Sequence, residues 1–231
     1  MPSRCTPLTI PLAAGATLSG LLDLPANAQA CYVFAHSAGA GMHHAFMAAM
    51  ADGLARRGIA TLRFQFPFME QGSKRPDAPA VAQAAVRAAV EEAARQLPAL
   101  TLFAGGKSYG GRMTSQAQAA QPLPGVEGIV FVGFPLHPAG KPSADRAKHL
   151  AGVGLPMLFL QGTRDELANL DLMRPTTAQL GARATLHAVE GADHSFHVLV
   201  RSGRNDAQAR DELLDTMAEW IHHLKMKVPL R

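Results

Sequence analysis

The feature that most constrains this chain is an apolar run that stops at two glycines, turns around a serine and resumes with helical spacing. Residues 100–104 have the composition of a short buried strand, and small apolar side chains recur on one helical face from residue 111 onward. Ser108 lies between them in the pattern Gly106-x-Ser108-x-Gly110. Glycines at these two positions let a strand and a helix approach closely around a strained serine. The pattern therefore predicts a nucleophile elbow that exposes the Ser108 hydroxyl.

Two other glycine motifs are disfavoured. A phosphate-binding loop ending in Gly106-Lys107-Ser108 requires a further glycine five residues earlier, where Thr101 lies inside the strand. A dinucleotide-binding fingerprint beginning at Gly39 would place its third glycine at His44. Neither a phosphate cradle nor a dinucleotide site is therefore expected.

Apolar segments typical of strands alternate with segments of helical periodicity along the rest of the chain. This alternation predicts an α/β fold with a mostly parallel central sheet and helices on both faces, in a single domain over residues 1–231. An antiparallel hairpin at a sheet edge is expected before it, from residues 8–12 and 17–24. Besides 100–104, the predicted strands are 31–35, 59–64, 128–134, 156–160 and 184–189, and helices are predicted from Phe46 to before Gly58 and over 81–97, 166–180 and 206–224.

Composition narrows the function classes. The net charge of +4 comes from scattered basic residues that are not interleaved with aromatic residues, so nucleic acid is not an expected partner. No segment approaches about 20 unbroken apolar residues, and no membrane partner is expected. Cys5 and Cys31 lack metal-ligand or C-x-x-C spacing, which favours free thiols and a cytoplasmic location.

Partners for Ser108 are expected at the carboxyl ends of later strands, because active residues gather at that edge of a parallel sheet. Asp165 follows the strand at 156–160, and His194 follows the strand at 184–189. The order Ser108, Asp165, His194 is typical of α/β-hydrolases. Asp165 has an alternative role as a helix cap, and the neighbouring Asp193 is interpreted as structural. His197 lacks further ligands at matching spacing, so no metal site is predicted.

Four sequence blocks together resemble the small α/β-hydrolases of the dienelactone-hydrolase-like group. Within this group they resemble bacterial hydrolases that are related to a hydrolase-like domain found in a eukaryotic chromatin-acetylation complex. The blocks are residues 35–42, 63–70, 105–113 and 191–196.

This resemblance implies a serine hydrolase acting through an acyl-enzyme on a small carboxylic ester or lactone, without metal or organic cofactor. His194 would be the base and Asp165 its orienting acid. The backbone N–H groups of Tyr109 and Ala38 would bind the oxyanion, with Ser37 as second choice. Relatives often carry glycine where this chain has Ser37. The alternative is a catalytically silent interaction module on the same fold.

Side chains after the strand at 59–64 are candidates for substrate binding. Phe66, Phe68 and Met69 are expected to wall a pocket, with His36 beside them, although each of the three apolar side chains fits a core position equally well. Only about 20 residues separate the strands at 128–134 and 156–160, too few for a helical lid, so a minimal lid or none is expected. Lys107 and Arg112 suit either an anionic substrate or a structural role. The oligomeric state is left open.

Overall fold

The computed structural model describes residues 4–227, and its centre is an eight-stranded sheet. The strand order is β1-β2-β4-β3-β5-β6-β7-β8. Strands β3 to β8 run parallel to one another. Strands β1 and β2 pair antiparallel with each other, and β2 pairs antiparallel with β4. The strands are β1 (Arg4–Pro11), β2 (Thr17–Leu24), β3 (Ala30–Ala35), β4 (Ile59–Phe64), β5 (Thr101–Lys107), β6 (Val126–Val132), β7 (Met157–Gly162) and β8 (Ala184–Val189).

Helices cover both faces of this sheet. Successive residues of a strand point to opposite faces, and the buried strands carry apolar side chains on both, so each face needs helices packed against it. In β3, Cys31 and Val33 belong to one apolar cluster, whereas Tyr32 and Phe34 belong to the other. Helices α1 and α6 pack in the second cluster, and α2, α3, α4 and α5 in the first. The helices are α1 (Ala45–Arg56), α2 (Pro67–Glu70), α3 (Pro79–Gln96), α4 (Tyr109–Ala120), α5 (Leu170–Gln179) and α6 (Asp206–Lys227). The predicted α/β-hydrolase architecture with an N-terminal antiparallel hairpin is confirmed.

Several boundaries differ from the sequence prediction. Strand β5 continues through Lys107 instead of ending at residue 104, because Gly105, Gly106 and Lys107 pair with β6. Helix α5 begins at Leu170 instead of residue 166. Strand β6 spans Val126–Val132 instead of 128–134. The sequence did not predict α2 or the 3-10 helices, of which the longest described spans Asp145–Gly152.

The connection after β5 is as tight as the glycine pattern predicts. Ser108 has φ 51° and ψ −114°, a conformation that non-glycine residues rarely adopt. A Cβ atom at Gly106 would lie 2.5 Å from the carbonyl oxygen of Ala35, and one at Gly110 would also lie 2.5 Å from that oxygen. Both glycines are therefore required by the close approach of the β5–α4 turn to the end of β3.

Substitution of Gly110 by alanine should destabilise the fold, because the atoms that oppose the new methyl group are backbone atoms of Ala35 and His36. We expect a loss of about 1–3 kcal/mol in the free energy of unfolding, measured by urea denaturation. Gly154→Ala is the matched control, since no heavy atom lies within 4 Å of a Cβ built there. An unchanged unfolding midpoint for Gly110→Ala would contradict the steric explanation of the turn.

Candidate active site

Ser108 is half-buried at the turn between β5 and α4, with its hydroxyl beside the imidazole of His194. The distance from Ser108 Oγ to His194 Nε2 is 2.8 Å, and His194 Nδ1 lies 2.7 Å from Asp165 Oδ2. A carboxylate only accepts hydrogen bonds, so Nδ1 carries the hydrogen and Nε2 is free to accept from the serine hydroxyl. Three side chains that follow three different strands thus form one continuous hydrogen-bonded chain.

The Asp165 carboxylate is buried, and hydrogen bonds fix both of its oxygens. Oδ1 accepts from the backbone N–H of Leu167 at 2.7 Å, and Oδ2 accepts from Gln161 Nε2 as well as from His194. Asn169, not Asp165, caps α5, through its side-chain contact with the N–H of Asp171 at 2.7 Å. The alternative role of Asp165 as a helix cap is therefore not what the structure shows.

Gln161 is a site residue that the sequence interpretation missed. Its side chain is fully buried at the end of β7, where its amide donates to Asp165 and its oxygen accepts from the N–H of Phe134 at 3.0 Å. A glutamine in an otherwise apolar strand was the available signal, because buried polar side chains need partners.

Asp193 organises the turn that carries His194 and does not contact the imidazole nitrogens. Its Oδ1 accepts from the backbone N–H groups of Ser195 at 2.8 Å and His197 at 3.0 Å. This is the structural role that the sequence predicts for Asp193.

The three candidate oxyanion donors all lie close to Ser108. Tyr109 is the first residue of α4, where backbone N–H groups have no partner within the helix. Ser37 and Ala38 follow β3 and border the same cavity as Ser108. The role of these three backbone N–H groups as oxyanion donors stays a prediction.

His36 fastens the loop that contains Ser37 and Ala38. Its ring is fully buried, Nδ1 lies 2.7 Å from the carbonyl oxygen of Ser37, and Nε2 accepts from the N–H of Phe66 at 3.0 Å. Nδ1 therefore carries the hydrogen, and the ring is neutral in this arrangement. Burial lowers the pKa of His36 below its usual value. Its position contradicts the predicted substrate contact and assigns it to support of the loop.

A second clamp holds the far end of this loop at Met42. The Met42 N–H donates to Gln65 Oε1 at 2.9 Å, and the Met42 carbonyl accepts from Arg63 at 3.0 Å. Arg63 is itself buried and ion-paired with Asp23 at 2.9 Å. The loop over residues 36–42 is thus fixed to the end of β4 at both ends.

The predicted pocket wall also needs correction. Phe66 and Phe68 are 0% and 1% exposed and pack against His36 and Tyr109 in the core. A side chain without accessible surface cannot touch a substrate in this conformation, and the half-buried Met69 packs against the same core cluster. Phe66 and Phe68 thus support the turn and the loop through Tyr109 and His36, and none of the three side chains is among those that line the cavity.

The cavity in front of Ser108 has a volume of about 390 Å³. Its apolar wall is formed by Phe46 and Met47 of α1 and by Leu167, residues that sequence interpretation did not connect with the site. Within the described chain, no residue of 133–156 borders this cavity, in keeping with an open site. Its lining comprises Ser37, Ala38, Gly39, Ala40, His44, Phe46, Met47, Lys107, Ser108, Leu167, His194 and Ser195.

Lys107 lines this cavity, whereas Arg112 is not among its lining residues. A larger depression of about 640 Å³ has Asp165 among its lining residues, but neither Ser108 nor His194 lines it. Over residues 4–227, no cluster of three or more His, Cys, Asp or Glu side chains is arranged to hold a metal ion. Both cysteines are free, with Cys5 exposed and Cys31 buried.

The family follows from a profile described as an alpha/beta hydrolase domain, which matches residues 28–222. The chain belongs to the α/β-hydrolase family. Among the described residues of this family member, no helix combines the length and apolar character needed to cross a bilayer.

Solved structures resemble the chain over nearly its whole length. A dienelactone hydrolase from Anabaena variabilis has a TM-score of 0.76 at 19% identity, covering 96% of this chain and 99% of that one. An α/β serine hydrolase without a lid from Xanthomonas campestris has a TM-score of 0.72 at 22% identity, with coverages of 100% and 98%. Est1E from Butyrivibrio proteoclasticus, with ferulic acid bound, has a TM-score of 0.70 at 16% identity, with coverages of 91% and 99%. At these identities the likeness concerns the fold.

The protonation states of His36 and His197 can be measured directly, and their different environments predict different states at the same pH. At pH 6.5 we expect buried His36 to be mostly neutral and protonated at Nδ1. We expect exposed His197 to be mostly charged at this pH, because its hydrogen bond to Asp206 raises its pKa. Two-dimensional ¹H–¹⁵N spectra of the imidazole rings distinguish these states. A doubly protonated His36 at pH 6.5 would contradict the proposed fastening of the loop.

Proposed function

We propose that this α/β-hydrolase family member is a serine hydrolase that cleaves a small carboxylic ester or lactone through an acyl-enzyme. The observation that carries the proposal is the unbroken chain Ser108–His194–Asp165, with hydrogen-bond distances of 2.8 and 2.7 Å. A serine next to an imidazole that a buried carboxylate orients is the arrangement required for nucleophilic acyl transfer.

In the acylation step, Ser108 Oγ attacks the acyl carbon while its proton moves to His194 Nε2. The Asp165 carboxylate keeps the other hydrogen on Nδ1 and stabilises the imidazolium that forms. The backbone N–H groups of Tyr109 and of Ala38 or Ser37 would then donate to the new oxyanion. The imidazolium finally protonates the leaving alkoxide oxygen, and the acyl group remains on Ser108.

Deacylation repeats these transfers with water as the nucleophile. His194 removes a proton from water, the hydroxide oxygen attacks the acyl carbon, and Ser108 leaves after receiving the proton from His194. With a lactone, the alcohol released in the first half remains part of the acyl group. Because water releases the acyl group from Ser108 in both cases, an ester and a lactone each give a free carboxylic acid, and the same residues act on both.

The cavity favours a small substrate. A volume of about 390 Å³ lies near the lower end of the roughly 300–1,000 Å³ of small-molecule sites. Phe46 and Leu167, which are both half-buried, offer apolar surface for an acyl or alcohol group on one side only, whereas Met47 is 2% exposed. Such a wall can cover a few carbons of a chain, whereas an enclosed tunnel would cover many.

The proposal is tested with a fluorophosphonate probe and p-nitrophenyl acetate. We expect covalent labelling at Ser108, and a loss of roughly 10⁴- to 10⁶-fold in kcat for Ser108→Ala, because the nucleophile is removed. Folding should survive, which circular dichroism checks. A folded wild-type protein that is neither labelled nor active would support the silent interaction module instead, and full turnover by Ser108→Ala would exclude this serine as nucleophile.

The acid of the triad is tested by a matched pair of substitutions. Asp165→Asn should lower kcat by about 10⁴-fold, because an amide favours the wrong imidazole tautomer. Asp193→Asn should have a far smaller effect, since the Asp193 carboxylate accepts hydrogen bonds from backbone N–H groups of its own turn and not from the imidazole. Steady-state kinetics of both variants decides the assignment. A larger loss for Asp193→Asn would transfer the orienting role to Asp193.

A further inference from the structure

Lys107, the residue immediately before Ser108, is a buried cation beside the candidate site. The residue is 8% exposed and is one of those that line the cavity beside Ser108 and His194. Lys107 Nζ donates a hydrogen bond of 2.6 Å to the backbone carbonyl oxygen of His194. The N-terminal neighbour of the nucleophile thus binds the backbone of the histidine 87 residues away in sequence.

The segment that carries His194 needs such support because its backbone is strained. Phe196, two residues after His194, has φ 63°, a left-handed conformation that is unfavourable for an aromatic residue. Lys107 Nζ also lies 5.5 Å from the centroid of the Phe196 ring, within the range of a cation–π contact. The lysine therefore holds the strained segment at two points, one backbone carbonyl and one aromatic ring.

Charge gives Lys107 a second role. When His194 is neutral, the buried Asp165 carboxylate has no cationic imidazole beside it, and an uncompensated buried charge is costly. The groups that face Lys107 are Asp165 after β7 together with Asp193 and His194 after β8, and His44 borders the same cavity at the start of α1. A protonated lysine in this position offsets the carboxylate charge before the reaction begins.

We propose that Lys107 is a positioning residue of His194, and that full activity requires its protonated form. The inference rests on the proposed serine hydrolase function. The ammonium fixes the backbone of the histidine, and thereby the direction of Nε2 toward Ser108 Oγ. A neutral amine in the same place would make a weaker hydrogen bond to the carbonyl and leave Asp165 without its counter-charge.

This role predicts a loss of activity at alkaline pH. Burial lowers the pKa of Lys107 to about 8, an effect that the charges of Asp165 and Asp193 oppose. The charged form therefore predominates below about pH 8 and is lost above it. Tyr109 cannot account for this change, because burial raises its pKa to about 12. We expect kcat of the wild-type protein to fall as the pH rises above about 8.

The test compares kcat and KM for p-nitrophenyl acetate from about pH 6.5 to 9.5 in the wild-type protein and three variants. Lys107→Met keeps an unbranched side chain that is one heavy atom shorter and has no charge, and should lower kcat about 10- to 100-fold below pH 8 with little change in KM. Its kcat should lack the alkaline decrease. Lys107→Arg, which stays charged at all these pH values, should also lack it. Lys148→Met is the control and should behave like the wild-type protein, because Lys148 is exposed and forms a salt bridge with the exposed Asp145.

The outcomes separate this inference from the proposed function. An active wild-type protein whose folded Lys107→Met variant keeps wild-type kcat, or keeps the alkaline decrease, overturns the role of Lys107 and leaves the serine hydrolase intact. If Lys107→Arg does not fold, the Lys107→Met profile alone decides. A wild-type protein without esterase activity or fluorophosphonate labelling overturns the proposed function and, with it, the inference about Lys107.

Discussion

The site depends on the close approach between the β5–α4 turn and the carbonyl group of Ala35. Gly106 and Gly110 leave no side chain between them and that oxygen. Because His36, Ser37 and Ala38 follow Ala35 directly, the same approach brings the candidate oxyanion loop next to the candidate nucleophile. A larger residue at either glycine would move the candidate oxyanion loop away from Ser108. The steric limit at this one backbone contact therefore sets the distance between the loop and the candidate nucleophile.

Buried polar groups then fix what the glycines bring together. Gln161 holds Asp165, His36 holds the carbonyl of Ser37, and Arg63 holds the carbonyl of Met42. Each of these side chains is at most 4% exposed and has partners for its polar atoms. Leaving any of their partners unpaired would cost about 1–3 kcal/mol, more where a charge is involved. Such networks give a site one geometry, because alternative arrangements lose several hydrogen bonds at once.

The sequence was sufficient for the fold and for the pairing of distant residues, because both follow from strong regularities. Parallel strands end at one edge of a sheet, so Asp165 and His194 could be located from the ends of two apolar runs. Boundaries were less accurate where tertiary pairing overrides composition: Gly105 and Gly106 are poor strand formers, yet they pair with β6. Likewise, the side chains of Asp165 and Asn169 accept hydrogen bonds from the backbone N–H groups of Leu167 and Asp171, and α5 therefore begins after residue 166.

The cavity wall was beyond sequence interpretation, since aromatic residues in a loop have the same pattern whether they face a cavity or the core. Phe66 and Phe68 turned inward to pack on His36, whereas Phe46 and Met47 from a helix face the cavity. The parts that would react are therefore carried by strand ends, and the parts that would select a substrate by the start of α1 and the segment before α5. This separation allows evolution, or an engineer, to exchange the range of accepted molecules while leaving the reaction unchanged.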